Sequence, residues 1–258
     1  MSPVTDNAPF FFFTVKPERF LHVGREHKGV DWKVNLGVAV LAMLLAISFL
    51  AVLAFLIVPL LIGGKPSGGP PQAVFYFVAI GLGYILVEVA FIQRFLLFLG
   101  HPTYALTVVI FLMLLSSGAG SVVSRRCLAN AAKVWIALAA IIAGLAFYVG
   151  VLPQLLDHFV GAAFVSKLAI SASLLAPLGF AMGMPFPTGL RALAELRARS
   201  NSIEWAWAMN AASSVLGSVL AIVIAIEFGL NATLACGAGA YAAALLLSTK
   251  LRLHPSPA

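Results

Sequence analysis

Charge is what this chain has least of. Only 9 of its 258 residues are acidic and 16 are Lys or Arg, so 10 % are charged against 62 % that are hydrophobic. A soluble domain cannot hide that much apolar surface, and a mean hydropathy of +1.03 places the chain among polytopic membrane proteins. Cysteine is nearly absent. Cys127 and Cys236 stand far apart and without metal-ligand spacing, which argues against a disulfide framework and a structural metal site. No polar segment interleaves basic and aromatic residues, which argues against nucleic-acid binding. No HExxH, GxSxG or P-loop pattern occurs, so no catalytic activity and no cofactor are expected of this chain alone. The start, Met1-Ser-Pro-Val-Thr-Asp6, has no early basic region and does not read as a signal peptide.

What is there is a series of long apolar runs. About 20 apolar residues cross a bilayer at 1.5 Å each. Seven runs meet that length: 36–62, 73–99, 103–124, 133–152, 164–184, 204–228 and 232–249. The expected fold is all-α, a transmembrane helix bundle over 34–258 behind a polar juxtamembrane segment, 1–33. Gly63 to Pro71 reads as a loop rich in Gly and Pro. Pro153 is expected to end the fourth span, with Leu155 to Val160 as an interfacial turn. Trp135, Tyr148, Trp205 and Trp207 read as interfacial anchors.

The polar exceptions inside the runs are the candidate functional residues. Glu88 lies near the middle of the second span, where a charge costs roughly 2.5–3.5 kcal/mol on insertion scales. It should face the bundle, with Ser116, Ser117 and Asn210 as candidate neighbours. Gln93 and Arg94 follow on the same span. Lys167 opens the fifth span and Glu227 closes the sixth. With Arg94 they are expected at one end of the bundle as a charge cluster, Glu227 pairing with Lys167 or Arg94. Ser116 to Ser121 offers a small-residue face for close helix contact. Gly183, Pro185, Pro187 and Gly189 mark a helix break, because proline removes amide donors and glycine permits other backbone angles. Arg191, Arg197 and Arg199 read as the basic face of a surface helix.

Several of these residues also carry a family pattern. Tyr84, Glu88, Arg94, Gly100, Thr103-Tyr104-Ala105 and Gly118 to Ser121 with Arg125 resemble the first helix pair in the membrane part of the spermidine-synthase-like membrane proteins. Those proteins join a major-facilitator-like bundle to a polyamine-synthase-like domain. Thr5-Asp6-Asn7-Ala8-Pro9-Phe10-Phe11 resembles the Thr-Asp-Asp-x-Pro-Phe-Phe segment that closes that domain, with Asn7 in place of the second Asp. Trp207, Asn210, Gly217 and Ser218 resemble the family's Asn- and Gly-bearing helix, with Ala and Ser replacing some glycines, so extreme closeness is not expected there. The resemblance implies a membrane module, transport-like or substrate-channelling, in a bacterial inner membrane. The second reading is a passive anchor for an aminopropyl- or methyltransferase-like domain or partner. The remaining partner is the lipid bilayer itself.

The basic loops fix an orientation. Arg125, Arg126 and Lys133, then Arg191, Arg197 and Arg199, then Lys250 and Arg252 are separated by even numbers of spans. All three groups therefore share a side, and the positive-inside bias makes it the cytoplasm.

Overall fold

The computed structural model describes residues 7, 40–54, 71–128, 133–195 and 202–252. The Gly63–Pro70 loop, Arg197, Arg199, the outer parts of the first span and the first 33 residues other than Asn7 lie outside the described residues. The helices are α1 (Val40–Ala54), α2 (Pro71–Leu99), α3 (Pro102–Cys127), α4 (Val134–His158), α5 (Phe164–Met182), α6 (Pro185–Glu195), α7 (Ser202–Phe228) and α8 (Leu230–Arg252). Six stretches are long and apolar enough to cross a membrane, α5 and α6 together forming one of them.

α2 is the post of the bundle. Fifty-six percent of its most apolar stretch is buried, against 17–33 % for the other five. It packs on α3, α7 and α8 and also touches α5 and α6; α4 lies against α8 and α5. The sequence allows this because α2 carries glycine where neighbours approach. A Cβ on Gly81 would stand 2.5 Å from Ser213 Oγ and 2.6 Å from the Asn210 carbonyl of α7. A Cβ on Gly217 of α7 would stand 2.5 Å from Ile85 in return. The replacement of some glycines by Ala and Ser therefore does not loosen this contact, since Gly81 and Gly217 lie on opposing helices. In lipid, where burial of apolar surface drives little association, such close packing is the main source of helix–helix attraction.

The same device joins α3 to α5. A Cβ on Gly120 would run into the Phe180 carbonyl, and one on Gly183 into the Ser117 carbonyl. Gly118 by contrast meets nothing within 4 Å, so only part of the small-residue face is used. An edge-to-face ladder fills the interior between α2 and α4: Phe98–Phe95 at 6.0 Å, Phe95–Phe91 at 6.2 Å and Phe91–Tyr148 at 5.9 Å. Tyr148 is thus not an interfacial anchor. It is 8 % exposed and donates to the Leu174 carbonyl of α5 at 2.5 Å. Trp135 and Trp207 remain exposed, as anchors should be.

Helix ends follow local chemistry. Gly100, with φ +77°, closes α2, and its amide donates to the Leu96 carbonyl. His101 then caps α3 through its Nδ1, which accepts from the Thr103 amide at 3.3 Å, with Pro102 in the first helical position. Pro153 does not end α4, which continues to His158. The missing amide costs one bond near the helix end, and Leu152 and Leu156 on the same buried face hold the last turns in place.

Topology places the α2–α3, α4–α5 and α7–α8 turns at one end, here the turn end. The α3–α4 connection, α6 and the end of α8 lie at the other, the basic end. Asn7 is bonded to the α7–α8 turn, whereas α2 begins at the basic end. α1 is the apolar helix described in that interval, shorter than the six span-length stretches.

Two measurements check this arrangement. Native Cys127, exposed in the last turn of α3, should resist an impermeant maleimide in intact cells, and a Gly161→Cys thiol in the exposed α4–α5 turn should react, both in a Cys236→Ala background. The opposite pattern reverses the orientation. Gly120→Ala and Gly183→Ala should each destabilise the detergent-solubilised protein by about 1–3 kcal/mol, whereas Gly118→Ala should leave its thermal midpoint unchanged.

Candidate functional site

Arg94 and the turn end. Arg94 lies nine residues past Ile85, the midpoint of α2, or about 13.5 Å along the axis. That is close to the edge of the apolar core, roughly 15 Å from its centre. The side chain is only 3 % exposed. Its Nη2 donates to Asn231 Oδ1 at 2.7 Å and, more weakly, to Asn7 Oδ1 at 3.4 Å. Asn7 in turn caps α8. Its backbone carbonyl accepts from the Leu230 amide at 2.8 Å, and its Oδ1 accepts from the Asn231 amide at 2.7 Å. The first amides of a helix have no partner within it, so an acceptor must come from elsewhere. Here it comes from 224 residues away. Gly229 makes room: its φ is +87°, and a Cβ there would collide with Asn7.

Beside this clasp opens a cavity of about 80 Å³, lined by Arg94, Leu97, Phe98, Pro153, Leu156, Asp157 and Val160. A water takes about 30 Å³ of liquid, so the space suits one small polar group with its hydration. Lys167 stands over the Phe98 ring, its Nζ 5.4 Å from the centroid, a cation–π contact at the rim. Glu227 is exposed in the last turn of α7 at the same end. Arg94, Lys167 and Glu227 therefore share the turn end as their positions in the spans predict. Sequence reasoning missed three members of the site. Asp157 joins only because α4 runs past Pro153; Asn231 and the capping role of Asn7 have no local signal.

The helix break. Gly183 and Met184 separate α5 from α6, and Pro185 and Pro187 lie in the first turn of α6. The break faces aromatic side chains. Tyr76 Oη donates to the Pro185 carbonyl at 2.9 Å, and Gly189 lies against the Tyr76 and Phe77 rings. Phe77 meets Phe186 edge-on at 5.5 Å, and Phe186 meets Trp207 at 4.5 Å. Arg191 turns inward and does not share in a basic surface. It donates to Ser124 Oγ and the Ser124 carbonyl, both at 3.2 Å, and to Thr188 Oγ1 at 3.0 Å. A cation is well placed at the α3 C-terminus, where the helix dipole is negative, and there it adds to the Leu128 amide as a donor to the Ser124 carbonyl.

Glu88 and its surroundings. Glu88 is half-buried on α2, with Gln93 half-buried further along. One turn before Glu88, the Tyr84 hydroxyl lies 3.4 Å from Ser117 Oγ. The other two candidate neighbours point elsewhere. Ser116 donates to the Leu112 carbonyl and lies against Gly179 of α5, and Asn210 lies against Gly81. Ser214 bonds both the Asn210 and the Gly81 carbonyls, at 2.9 and 3.3 Å.

Among the described residues no three His, Cys, Asp or Glu side chains gather as a metal site would need. No protein-family model, curated protein or solved structure matches the chain. The geometry alone therefore defines an integral membrane helix bundle with a polar clasp at one end.

The clasp generates a quantitative expectation. A hydrogen bond to a charged group contributes about 1.5–3 kcal/mol. In a double-mutant cycle, Arg94→Met and Asn231→Ala should couple by more than about 1 kcal/mol in thermal or denaturant unfolding. Additive effects would show that the 2.7 Å contact contributes nothing to stability.

Proposed function

We propose that this chain is the integral membrane module of a spermidine-synthase-like fusion and that its turn end seats the synthase-like part. The observation that carries this reading is the bond between Asn7 and Arg94. Both residues belong to the stretches that resemble the family, one in the segment like the close of the synthase domain, the other in the first helix pair. Two motifs 87 residues apart meet in one hydrogen-bonded cluster with Asn231. A segment held in this way fixes whatever is attached to it against the bundle.

The channelling form of the proposal draws on the cavity at Arg94, which lies next to the seat and offers a guanidinium, an aspartate and apolar walls to a small polar molecule. The anchoring form draws on the helix break, whose backbone is occupied by Tyr76 and ringed by aromatics. Either way the chemistry of aminopropyl or methyl transfer belongs to the attached domain or partner. The expected setting is a bacterial inner membrane.

A cross-link tests the seat. With Cys127 and Cys236 replaced by Ser, the pair Asn7→Cys and Asn231→Cys should form a disulfide in membranes under mild oxidation, and Arg94→Met should lower its yield. No cross-link in the intact chain removes the seat and the proposal with it. Uptake of small radiolabelled amines by proteoliposomes then separates the two forms, because a passive anchor leaves flux at the level of empty vesicles.

A further inference from the structure

The crease that holds Glu88 can be drawn from contacts alone. On α2, at 100° per residue, Glu88 lies about 20° from Gly81 and about 40° from Tyr84, between the two. Gly81 faces α7, through Asn210 and Ser213. Tyr84 faces α3, through Ser117. α3 and α7 both pack on α2 yet have no sizeable contact with one another. Glu88 therefore sits on the floor of a crease whose walls are α3 and α7. At the basic end α6 bridges those walls, with Phe186 against Trp207. Neither wall closes over Glu88, which stays half-buried and partly exposed.

Its depth matters. Glu88 lies three residues past the midpoint of α2, about 4.5 Å along the axis. An ionisable group at that depth marks a functional site and calls for a partner or a cavity. The cations of the neighbouring helices bond elsewhere: Arg94 to Asn231, Arg191 to Ser124, and Lys167 over the Phe98 ring. The crease supplies one carboxylate, the Tyr84 and Ser117 hydroxyls, the Asn210 and Ser213 side chains on the α7 wall nearer the basic end, and apolar side chains beside them.

We propose that this crease is a laterally open binding site for a lipophilic organic cation, with the Glu88 carboxylate as its counter-ion. A divalent metal is a poor fit, because Mg²⁺ and Ca²⁺ require six or more oxygen ligands. A lipid headgroup amine is also a poor fit, since headgroups lie beyond the apolar core and Glu88 lies near its centre. A cation that dissolves in the membrane reaches the crease sideways, exchanges its counter-ion for Glu88 and keeps its apolar body against the walls. This goes beyond the seating of a synthase-like domain and shares no residue with the clasp.

The test uses the full chain in nanodiscs, with tetraphenylphosphonium as the probe and empty nanodiscs subtracted. The wild type should bind the probe saturably. Glu88→Gln should bind it about tenfold or more weakly, with an unchanged circular dichroism spectrum, whereas Glu204→Gln should bind as the wild type does. A second readout needs no variant. A hydrophobic carbodiimide should modify Glu88, as detected by mass spectrometry, and tetraphenylphosphonium should protect it. Equal binding by Glu88→Gln, or modification indifferent to the probe, overturns the site. So does a Glu88 that is blocked in native membranes without any added cation and becomes reactive on purification, which assigns the crease to a partner helix. The Asn7–Asn231 cross-link is read separately, so failure here and failure of the seat are distinguishable.

Discussion

The bundle depends on how near its neighbours can come to α2. In the apolar core no water competes for backbone groups, and little hydrophobic force draws one helix to another. Attraction has to come from contact, and contact from small side chains at the crossing points. Gly81 and Gly217 bring α7 against α2. Gly83 and Gly237 do the same for α8, where Tyr241 lies against Gly83 and Val87 against Gly237. Because α2 is held on two sides in this way, the face it presents to α3 and α7 is fixed, and Glu88 is fixed with it.

Polar groups complete what glycine begins, and they do so at the two ends of the bundle. At the basic end Arg191 supplies donors to the end of α3, while Tyr76 donates to the Pro185 carbonyl at the start of α6. At the turn end Asn7 supplies acceptors to the start of α8, while Arg94 binds the amide side chains around it. Between the two ends lies Glu88, three residues past the midpoint of α2. A charge in the middle without such provision is the feature least explained by packing, and for that reason the most informative about ligands.

The sequence reveals those parts whose cause is local. Apolar run length announces the spans. Gly100-His101-Pro102 announces a turn because each residue has a separate reason to be there: a positive φ, a capping side chain and a missing amide. Gly183 with Pro185 and Pro187 announces a break in the same way. What the sequence conceals depends on distant partners. Nothing near Tyr148 says that its hydroxyl will meet Leu174 rather than water. Nothing near Pro153 says that Leu156 will be buried deeply enough to carry the helix past it. The placement of Arg94, Lys167 and Glu227 at one end follows from counting spans, but the asparagines that surround Arg94 come from the two extremes of the chain.

The cap on α8 has a consequence for the order of assembly. Asn7 leaves the ribosome well before its partners, because Leu230 and Asn231 come 223 and 224 residues later. At roughly 5–20 residues per second, synthesis separates the two by roughly 10–45 s. Throughout that interval Asn7 lacks the amides that it caps, and closing so long a loop has an entropic cost that the finished bundle must meet. The clasp can therefore form only after α8 has been inserted, which makes it a mark of completion. A chain truncated before its last helix leaves the Asn7 segment unfastened, and quality control at the membrane has there an unsatisfied segment to recognise.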